Sequence, residues 1–358
     1  MSKRGAALVA AVIGWGAPQA RAMIINVTPD AGLAANSAAV AAFDRAAIAW
    51  SSLFSNNITI NIAGGLSNAF TSPNIIGNTS AVKFQAGYDF FRSKILASAA
   101  ADPNDGVVAY IPDLAHFNTT LPSGFTFSGN FIATKANFKA LGYMDLINLD
   151  QVYGANDATI TFNSNFSFDY DNSNGVDAGK IDFQTVAEHE VGHALGFLSA
   201  VDTVDGMKNA GTTGSISIQP LDLFRFQDNV AGKDPATTTE FTNDPRYLDT
   251  GGSAIFDDLT NERAMSTGRY FGDGLEASHW KDDAITGHLL GVMDPSLNTG
   301  VMESITATDI RALDLIGYTV VPEPTSVAIW GLVIPLLLGR DSRGRGQRKE
   351  NPPQGGGL

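Results

Sequence analysis

The chain has 358 residues, of which 44% are hydrophobic and 17% charged, so it has enough apolar material for the core of one large domain. Its net charge of -14 argues against a nucleic-acid partner, since phosphate binding depends on lysine and arginine. The absence of cysteine excludes a thiol nucleophile, disulfide bonds and cysteine-ligated metals, so any metal must be bound by histidine, aspartate or glutamate.

The first 22 residues show the three regions of a secretory signal in the usual order. Lys3 and Arg4 precede an apolar stretch at residues 6–13, and residues 20–22 read Ala-Arg-Ala, a small-residue cleavage site. We therefore predict a signal peptide at residues 1–22 and an exported protein in the periplasm, at the cell surface or outside the cell. The alternative is an amphipathic first helix.

The next part of the chain alternates between helix and strand patterns. Apolar residues recur at helical spacing over residues 34–53, and those at 58–62 alternate with polar ones as in a strand. The sequence also predicts a buried strand at 107–111, a helix at 131–141 and a strand at 158–162. Helices and strands mixed in this way predict an α+β fold.

An acidic, oxygen-rich segment follows. Asp169, Asp171 and Ser173 offer oxygen ligands at alternating positions, but Gly175 is the seventh residue from Asp169, whereas a calcium loop needs glycine at the sixth. The same residue types are common in turns. We therefore favour a plain turn and keep a Ca²⁺ site near Asp169 and Asp171 as the alternative.

The helix predicted from Asp182 to Gly196 carries the clearest chemical signal. Asp182 is a candidate N-cap, Gly196 a candidate stop, and the apolar residues fall on one face, unlike in a solvated helix. His189 and His193 lie one turn apart, so both imidazoles can bind one ion, as an H-E-x-x-H site requires. Glu190 cannot point with them, which makes it a candidate general base beside the metal.

A catalytic zinc takes three protein ligands and keeps one position for water, so a third ligand is needed. The longer motif H-E-x-x-H-x-x-G-x-x-H matches through Gly196 but has Ser199 where the third histidine is expected. The third ligand is therefore displaced along the chain. The candidates are His279, His288 and the carboxylates of Asp202 and Asp205.

Residues 199–278 are rich in Gly, Thr, Asp and Asn with few periodic segments, which predicts a large, loop-rich insertion. After it come Ser-His-Trp at 278–280, Met-Asp-Pro at 293–295 and a helix predicted at 308–316. Because no repeat or long low-complexity linker interrupts the middle of the chain, we expect residues 23–320 to form one domain.

These motifs resemble the leishmanolysin-like branch of the metzincin zinc peptidases. In that branch a long insertion separates the H-E-x-x-H-x-x-G helix from a third histidine in a Ser-His-Trp context, and a methionine turn follows. The resemblance implies a metzincin-like fold with a mixed twisted sheet, an active-site helix and a C-terminal helix after the methionine turn. It implies Zn²⁺ bound by His189, His193 and His279, with Met293 beneath the metal and Glu190 as the catalytic base.

Residues 321–358 resemble a PEP-CTERM sorting tail. Pro-Glu-Pro at 322–324 precedes an apolar run at 327–338, and basic residues follow between 340 and 349. In that family the apolar run is a membrane segment and the basic residues stay in the cytoplasm. The resemblance implies membrane anchorage before processing by an exosortase-type enzyme; the alternative is a buried C-terminal strand or helix.

The sequence therefore predicts an exported zinc endopeptidase that hydrolyses polypeptide substrates, with Glu190 as general base. The resemblance also implies that the strand at 158–162 forms the upper edge of the cleft and binds substrate as an added strand. The alternative is an exported cell-surface or matrix binding protein with a structural metal. A serine hydrolase is disfavoured, because no G-x-S-x-G nucleophile elbow is present.

Overall fold

The computed structural model describes residues 23–70 and 72–322. The predicted signal peptide at 1–22, and the sorting tail from residue 323 onward, lie outside the described residues. Among the described residues, no helix has the length and apolar character needed to cross a bilayer.

The described chain is a mixture of helices and strands, so the predicted α+β class is confirmed. The strands are β1 (Ile24–Pro29), β2 (Thr59–Ser67), β3 (Gly77–Ala81), β4 (Lys83–Gly87), β5 (Thr119–Thr120), β6 (Thr126–Thr134), β7 (Ala158–Asn163), β8 (Phe168–Asp169), β9 (Ile181–Asp182), β10 (Ser215–Ile218), β11 (Arg225–Gln227), β12 (Arg246–Tyr247), β13 (Ala254–Asp257) and β14 (Glu262–Met265). The helices are α1 (Ala31–Ala34), α2 (Ser37–Ser51), α3 (Tyr88–Ala99), α4 (Lys135–Ala140), α5 (Leu149–Tyr153), α6 (Phe183–Leu195), α7 (Val201–Asn209), α8 (Thr238–Asn243), α9 (Asp283–Thr286) and α10 (Ala307–Leu315). Short 3₁₀ segments lie at Pro103–Tyr110, Tyr143–Asp145, Asn172–Asn174 and Pro220–Phe224.

The largest sheet has four strands in the order β1-β2-β7-β3. Strands β1, β2 and β7 run parallel, and β3 pairs antiparallel with β7, so that β3 forms one edge of the sheet. The expectation that the strand at 158–162 forms the cleft edge is therefore wrong. That segment is β7, which is hydrogen-bonded to β2 on one side and to β3 on the other, so it offers no free edge to a further strand.

Helices α2 and α6 pack against each other and against the sheet. Helix α2 begins after Asn36, whose side chain accepts a hydrogen bond from Ala39 N, and it buries Phe43 and Trp50. The ring of Phe43 meets that of Phe162 on β7 edge to face, 5.1 Å between centroids. The Trp50 indole donates to the Glu188 carbonyl of α6 at 2.7 Å. These contacts fix the position of α6 on the sheet.

Two predicted elements differ from the structure. Residues 107–111 form no strand, because most of them belong to the 3₁₀ segment that begins at Pro103. The predicted helix at 131–141 is wrong in its first half: β6 continues to Thr134, paired with β4, and only then does α4 begin. The Thr134 hydroxyl accepts from Asn137 N, so this residue is the N-cap that separates strand from helix.

The segment at 199–278, predicted to be loop-rich, contains many short elements from α7 to β14. Strands β11, β13 and β14 form a small antiparallel sheet. Two fully buried arginines hold this region together through backbone carbonyls. Arg225 donates to the carbonyls of Tyr247, Ser266 and Ala277, and Arg246 donates to those of Leu223, Phe241 and Asp244. Such side-chain-to-backbone contacts leave no periodic trace in a sequence.

A candidate metal centre

Helix α6 has the boundaries that the sequence predicted. The Asp182 side chain accepts a hydrogen bond from Thr185 N at 3.1 Å and so caps the first turn. The helix ends at Gly196, whose φ of 121° favours glycine. His189 and His193 therefore lie on one side of a rigid, well-packed helix.

Three histidine rings converge beside α6. The Nε2 atoms of His189, His193 and His279 lie 3.1 Å from one another in each pair. His279 comes from the segment that follows the insertion, 86 residues beyond His193. Within the described part of the chain these three residues form a group whose ligand atoms are close enough to share one ion.

The orientation of each imidazole ring is fixed by a hydrogen bond at its second nitrogen, Nδ1. The Nδ1 atoms lie within hydrogen-bond distance of backbone carbonyl oxygens: Val292 for His189 (2.8 Å), Phe197 for His193 (2.9 Å) and Glu276 for His279 (3.0 Å). A carbonyl oxygen only accepts, so each Nδ1 carries the proton and donates it. Each Nε2 atom then directs a lone pair towards the other two. These three lone pairs repel one another unless a cation lies among them.

The donor set fits zinc. Tetrahedral zinc at about 2.0–2.1 Å from each nitrogen separates its ligand nitrogens by roughly 3.3 Å, close to the 3.1 Å found here. Burial lowers the pKa of His189 to about 4 and that of His279 to about 3, and it lowers the pKa of His193 well below the usual value. The imidazoles are therefore neutral near pH 7, which is the form that binds metal.

Glu190 is buried between α6 and the edge strand β3. The Thr79 hydroxyl lies 2.6 Å from Oε2 of Glu190 and 2.9 Å from its backbone carbonyl oxygen. A Cβ atom added at Gly77 would lie only 2.5 Å from Oε1. Burial raises the pKa of Glu190 to about 7, against the opposing effect of the Thr79 hydrogen bond. Thr79 thus holds the carboxylate and Gly77 leaves the space that it occupies, and neither residue of β3 is singled out by the sequence.

The three histidines and Glu190 line one cavity of about 530 Å³. The lining includes residues 74–79, which contain the start of β3, and residues 294–297. A volume of this size is typical of ligand-binding clefts.

Met293 is fully buried and packs against helix α6 at Gly192. A Cβ atom at Gly192 would come within 2.3 Å of the Met293 sulfur, so the helix and the methionine are in direct contact only because position 192 is glycine. The segment that carries His279 is hydrogen-bonded to Met293, since Trp280 N donates to the Met293 carbonyl at 3.0 Å. The Trp280 indole donates to Asp309 of α10 at 2.8 Å.

The other candidate ligands lie elsewhere or are already hydrogen-bonded. His288 is exposed, with its ring beside the Thr286 carbonyl. Asp202 accepts from the backbone N–H groups of Ala277 and Ser278 and from the Ser278 hydroxyl, so it holds the segment that carries His279. Asp205 accepts from the backbone at residues 270 and 271. The structure thus brings His279, and none of the alternatives, to the two helix histidines.

The acidic segment before α6 has the hydrogen bonds of a turn. Asp169 accepts from the backbone N–H groups of Asp171 and Asp177, and Asp171 accepts from that of Ser173. Neither residue belongs, within the described chain, to a group of three side chains that could share an ion. These contacts favour the turn over the Ca²⁺ alternative.

The arrangement can hold one divalent cation through three neutral imidazoles, with a carboxylate beside it and a cavity in front. No protein-family model, curated protein or solved structure matches this chain. Any function assigned to the chain therefore depends on its own residues and their geometry.

Proposed function

We propose that this chain is an exported zinc-dependent endopeptidase of the metzincin type, with motifs that resemble those of the leishmanolysin-like branch. In this proposal His189, His193 and His279 hold the zinc, Met293 supports the site from below, and Glu190 is the general base. The observation that carries the proposal is the convergence of three Nε2 lone pairs at 3.1 Å, with every Nδ1 proton committed to a carbonyl.

When bound, zinc supplies a Lewis acid that polarises a carbonyl group and lowers the pKa of water. Glu190 accepts the proton of the attacking water at its carboxylate and later delivers it to the leaving amine. The Thr79 hydrogen bond holds the carboxylate in the space that Gly77 leaves open. Positioning of this kind contributes to catalysis because a base must lie within hydrogen-bond reach of the proton it takes.

The position of strand β3 is an argument for a peptide substrate. It is the edge of the four-stranded sheet, and residues 74–79 line the cavity that contains the histidines. We propose that an extended polypeptide adds to this edge as a further strand, which would bring its backbone across the centre. The role expected of the strand at 158–162 thereby passes to β3.

A purely structural metal is less well supported. Structural zinc sites are closed by four protein ligands, whereas catalytic sites use three and keep a position open. Within the described residues, no fourth histidine, aspartate or glutamate joins the group of three histidines. The group lines a cavity together with Glu190, as a catalytic centre requires. The export signal and the sorting tail remain proposals from the sequence alone.

The test is Glu190→Gln, with the exposed Glu262→Gln as the matched control. We expect the zinc content of both variants to equal that of the wild type, while peptide cleavage falls by about 10²–10⁴-fold in Glu190→Gln only. Cleavage at the wild-type rate by zinc-loaded Glu190→Gln protein would refute the proposed base. A wild-type protein that retains zinc but cleaves no peptide would instead favour the structural-metal alternative.

A further inference from the structure

Two carboxylates that line the cavity, Asp294 and Glu303, have two further carboxylates near them. Asp282, Asp283 and Asp294 have carboxylate oxygens within 4.8 Å of one another, and Asp294 and Glu303 line the cavity itself. We call these four residues the acidic wall. Asp294 is 3% exposed and Glu303 is 8% exposed, so both carboxylates are largely removed from bulk water.

The acidic wall adjoins the metal centre. The Thr185 hydroxyl lies 3.0 Å from both the backbone nitrogen and the carbonyl oxygen of Glu303, and Thr185 is one helical turn before His189. Asp294 lies two residues beyond Val292, whose carbonyl accepts from His189 Nδ1. A group bound at the wall would therefore lie within a few residues of a bond cut at the centre.

No lysine or arginine of the described chain forms an ion pair with the wall: of the two basic residues that line the same cavity, Arg269 pairs with Glu276, and Lys83 forms no ion pair with the wall. The Glu303 carboxylate has no hydrogen bond and no ion pair among residues 23–70 and 72–322, and the Asp294 carboxylate accepts only from the backbone at 283 and 296. Burial, followed by the neighbouring carboxylates of Asp294, Asp283 and Asp282, raises the pKa of Glu303 to about 8. Buried carboxylates are costly unless a cation or donors satisfy them, so this group is short of a partner.

We infer that the acidic wall binds a basic side chain of the substrate, lysine or arginine, close to the bond that is cut. The inference rests on the proposed function. The cavity lining also includes Val186, Pro295 and Leu297, which can contact the aliphatic stem of such a side chain while its charged end reaches Glu303. A charged group bound by buried carboxylates gives strong discrimination against an uncharged analogue, because that analogue leaves the carboxylates unpaired.

A bound calcium ion explains the wall less well. Calcium needs 6–8 oxygen ligands at about 2.3–2.6 Å. Glu303 lies outside the set of three carboxylates that converge. The Asp282 carboxylate already accepts from Ala284 N at 2.8 Å, and Asp294 accepts from two backbone N–H groups. A single long cationic side chain can bind without several carboxylate oxygens converging on one point.

The experiment uses the zinc-loaded full chain and pairs of peptides that differ only in lysine against norleucine, which has a similar stem without the charge. The exchanged residue is moved through the positions around the cut bond, and the cuts are mapped by mass spectrometry. We expect one position at which lysine raises kcat/KM over norleucine by at least about tenfold. In Glu303→Gln and Asp294→Asn that ratio should fall towards one, whereas Glu262→Gln should retain it.

A binding measurement separates recognition from turnover. In Glu190→Gln protein, the lysine peptide should bind more tightly than the norleucine peptide, and the added Glu303→Gln change should remove the difference. Cleavage or binding without a lysine preference would overturn the inference but not the proposed function. A lysine preference that persists in both Glu303→Gln and Asp294→Asn would have the same meaning. Calcium that raises the melting temperature of the wild type but not of Glu303→Gln, with no lysine preference, would also overturn it. A wild-type protein that neither binds nor cleaves any peptide of the set overturns the proposed function and the inference together.

Discussion

Gly77→Ala isolates the positioning of Glu190 from the binding of the metal. The added Cβ atom would lie 2.5 Å from Oε1 of Glu190, whereas ordinary contacts begin at 3.4 Å, so the carboxylate must move by about 0.9 Å. All three of the atoms nearest to this Cβ belong to Glu190, and none belongs to a histidine. A single methyl group should therefore displace the base and leave the zinc ligands in place.

A misplacement of about 1 Å near the chemistry can cost on the order of 10²-fold in rate, or roughly 2.7 kcal/mol of transition-state stabilisation. We expect kcat/KM for peptide cleavage to fall by about this factor, while zinc content stays at the wild-type value. Gly87→Ala is the control, because a Cβ atom there meets nothing within 4 Å and should leave both quantities unchanged. A fully active Gly77→Ala enzyme would show that the position of the Glu190 carboxylate does not limit the reaction, and the role given to β3 would fail.

Three further variants test other parts of the structure. His279→Ala should lower zinc content, measured by elemental analysis, because it removes one of the three converging nitrogens. Gly192→Ala places a Cβ atom 2.3 Å from the Met293 sulfur and should lower the free energy of unfolding, measured in urea, by about 1–3 kcal/mol. For Glu303, burial and nearby carboxylates raise the pKa from 4.5 to about 8. Its contribution to stability is therefore fully present below pH 4.5 and is lost as the pH rises to 8, a loss that Glu303→Gln should reduce.

Each of these variants has a result that would contradict its reasoning. His288→Ala is the control for metal binding, and loss of zinc in this variant but not in His279→Ala would make His288 the third ligand. Gly206→Ala is the control for packing, since a Cβ atom there meets nothing within 4 Å; an equal loss of stability would rule out the sulfur contact as the cause. For Glu303→Gln, the free energy of unfolding could instead follow the same pH dependence as that of the wild type from pH 4.5 to 8. That result would show that the Glu303 carboxylate is not unpaired.

Features set by neighbouring residues were predictable from the sequence. Helix α6 has its N-cap at Asp182, its end at Gly196 and its histidines one turn apart, and all three are local properties of the chain. The strand β2 and helix α2 were likewise visible from periodicity. Residue type makes His279 one of several candidates for the third ligand, and only the motif resemblance selects it, since nothing local indicates that a residue 86 positions away meets His193.

Features set by distant contacts were missed or misassigned. Strand β3 reads Gly-Asn-Thr-Ser-Ala, which has no apolar alternation because it lies at a sheet edge, so neither its existence nor the roles of Gly77 and Thr79 could be seen. The apolar alternation at 158–162 correctly predicts a strand, but the resemblance places it at the cleft edge, whereas in the structure it pairs on both sides. Asp202 was considered as a ligand because of its residue type, whereas in the structure it binds the backbone beside His279.

The protons on the three Nδ1 atoms are all donated to main-chain oxygens, at Val292, Phe197 and Glu276. In many metal sites the corresponding acceptor is a carboxylate side chain, which one codon change can delete. Here the acceptors are backbone oxygens, which a substitution of the side chain does not remove. Most mutations of the surrounding side chains should therefore leave the tautomers of the three histidines unchanged. Disturbing them requires a shift of the backbone itself, and the three acceptors belong to three separate stretches of chain.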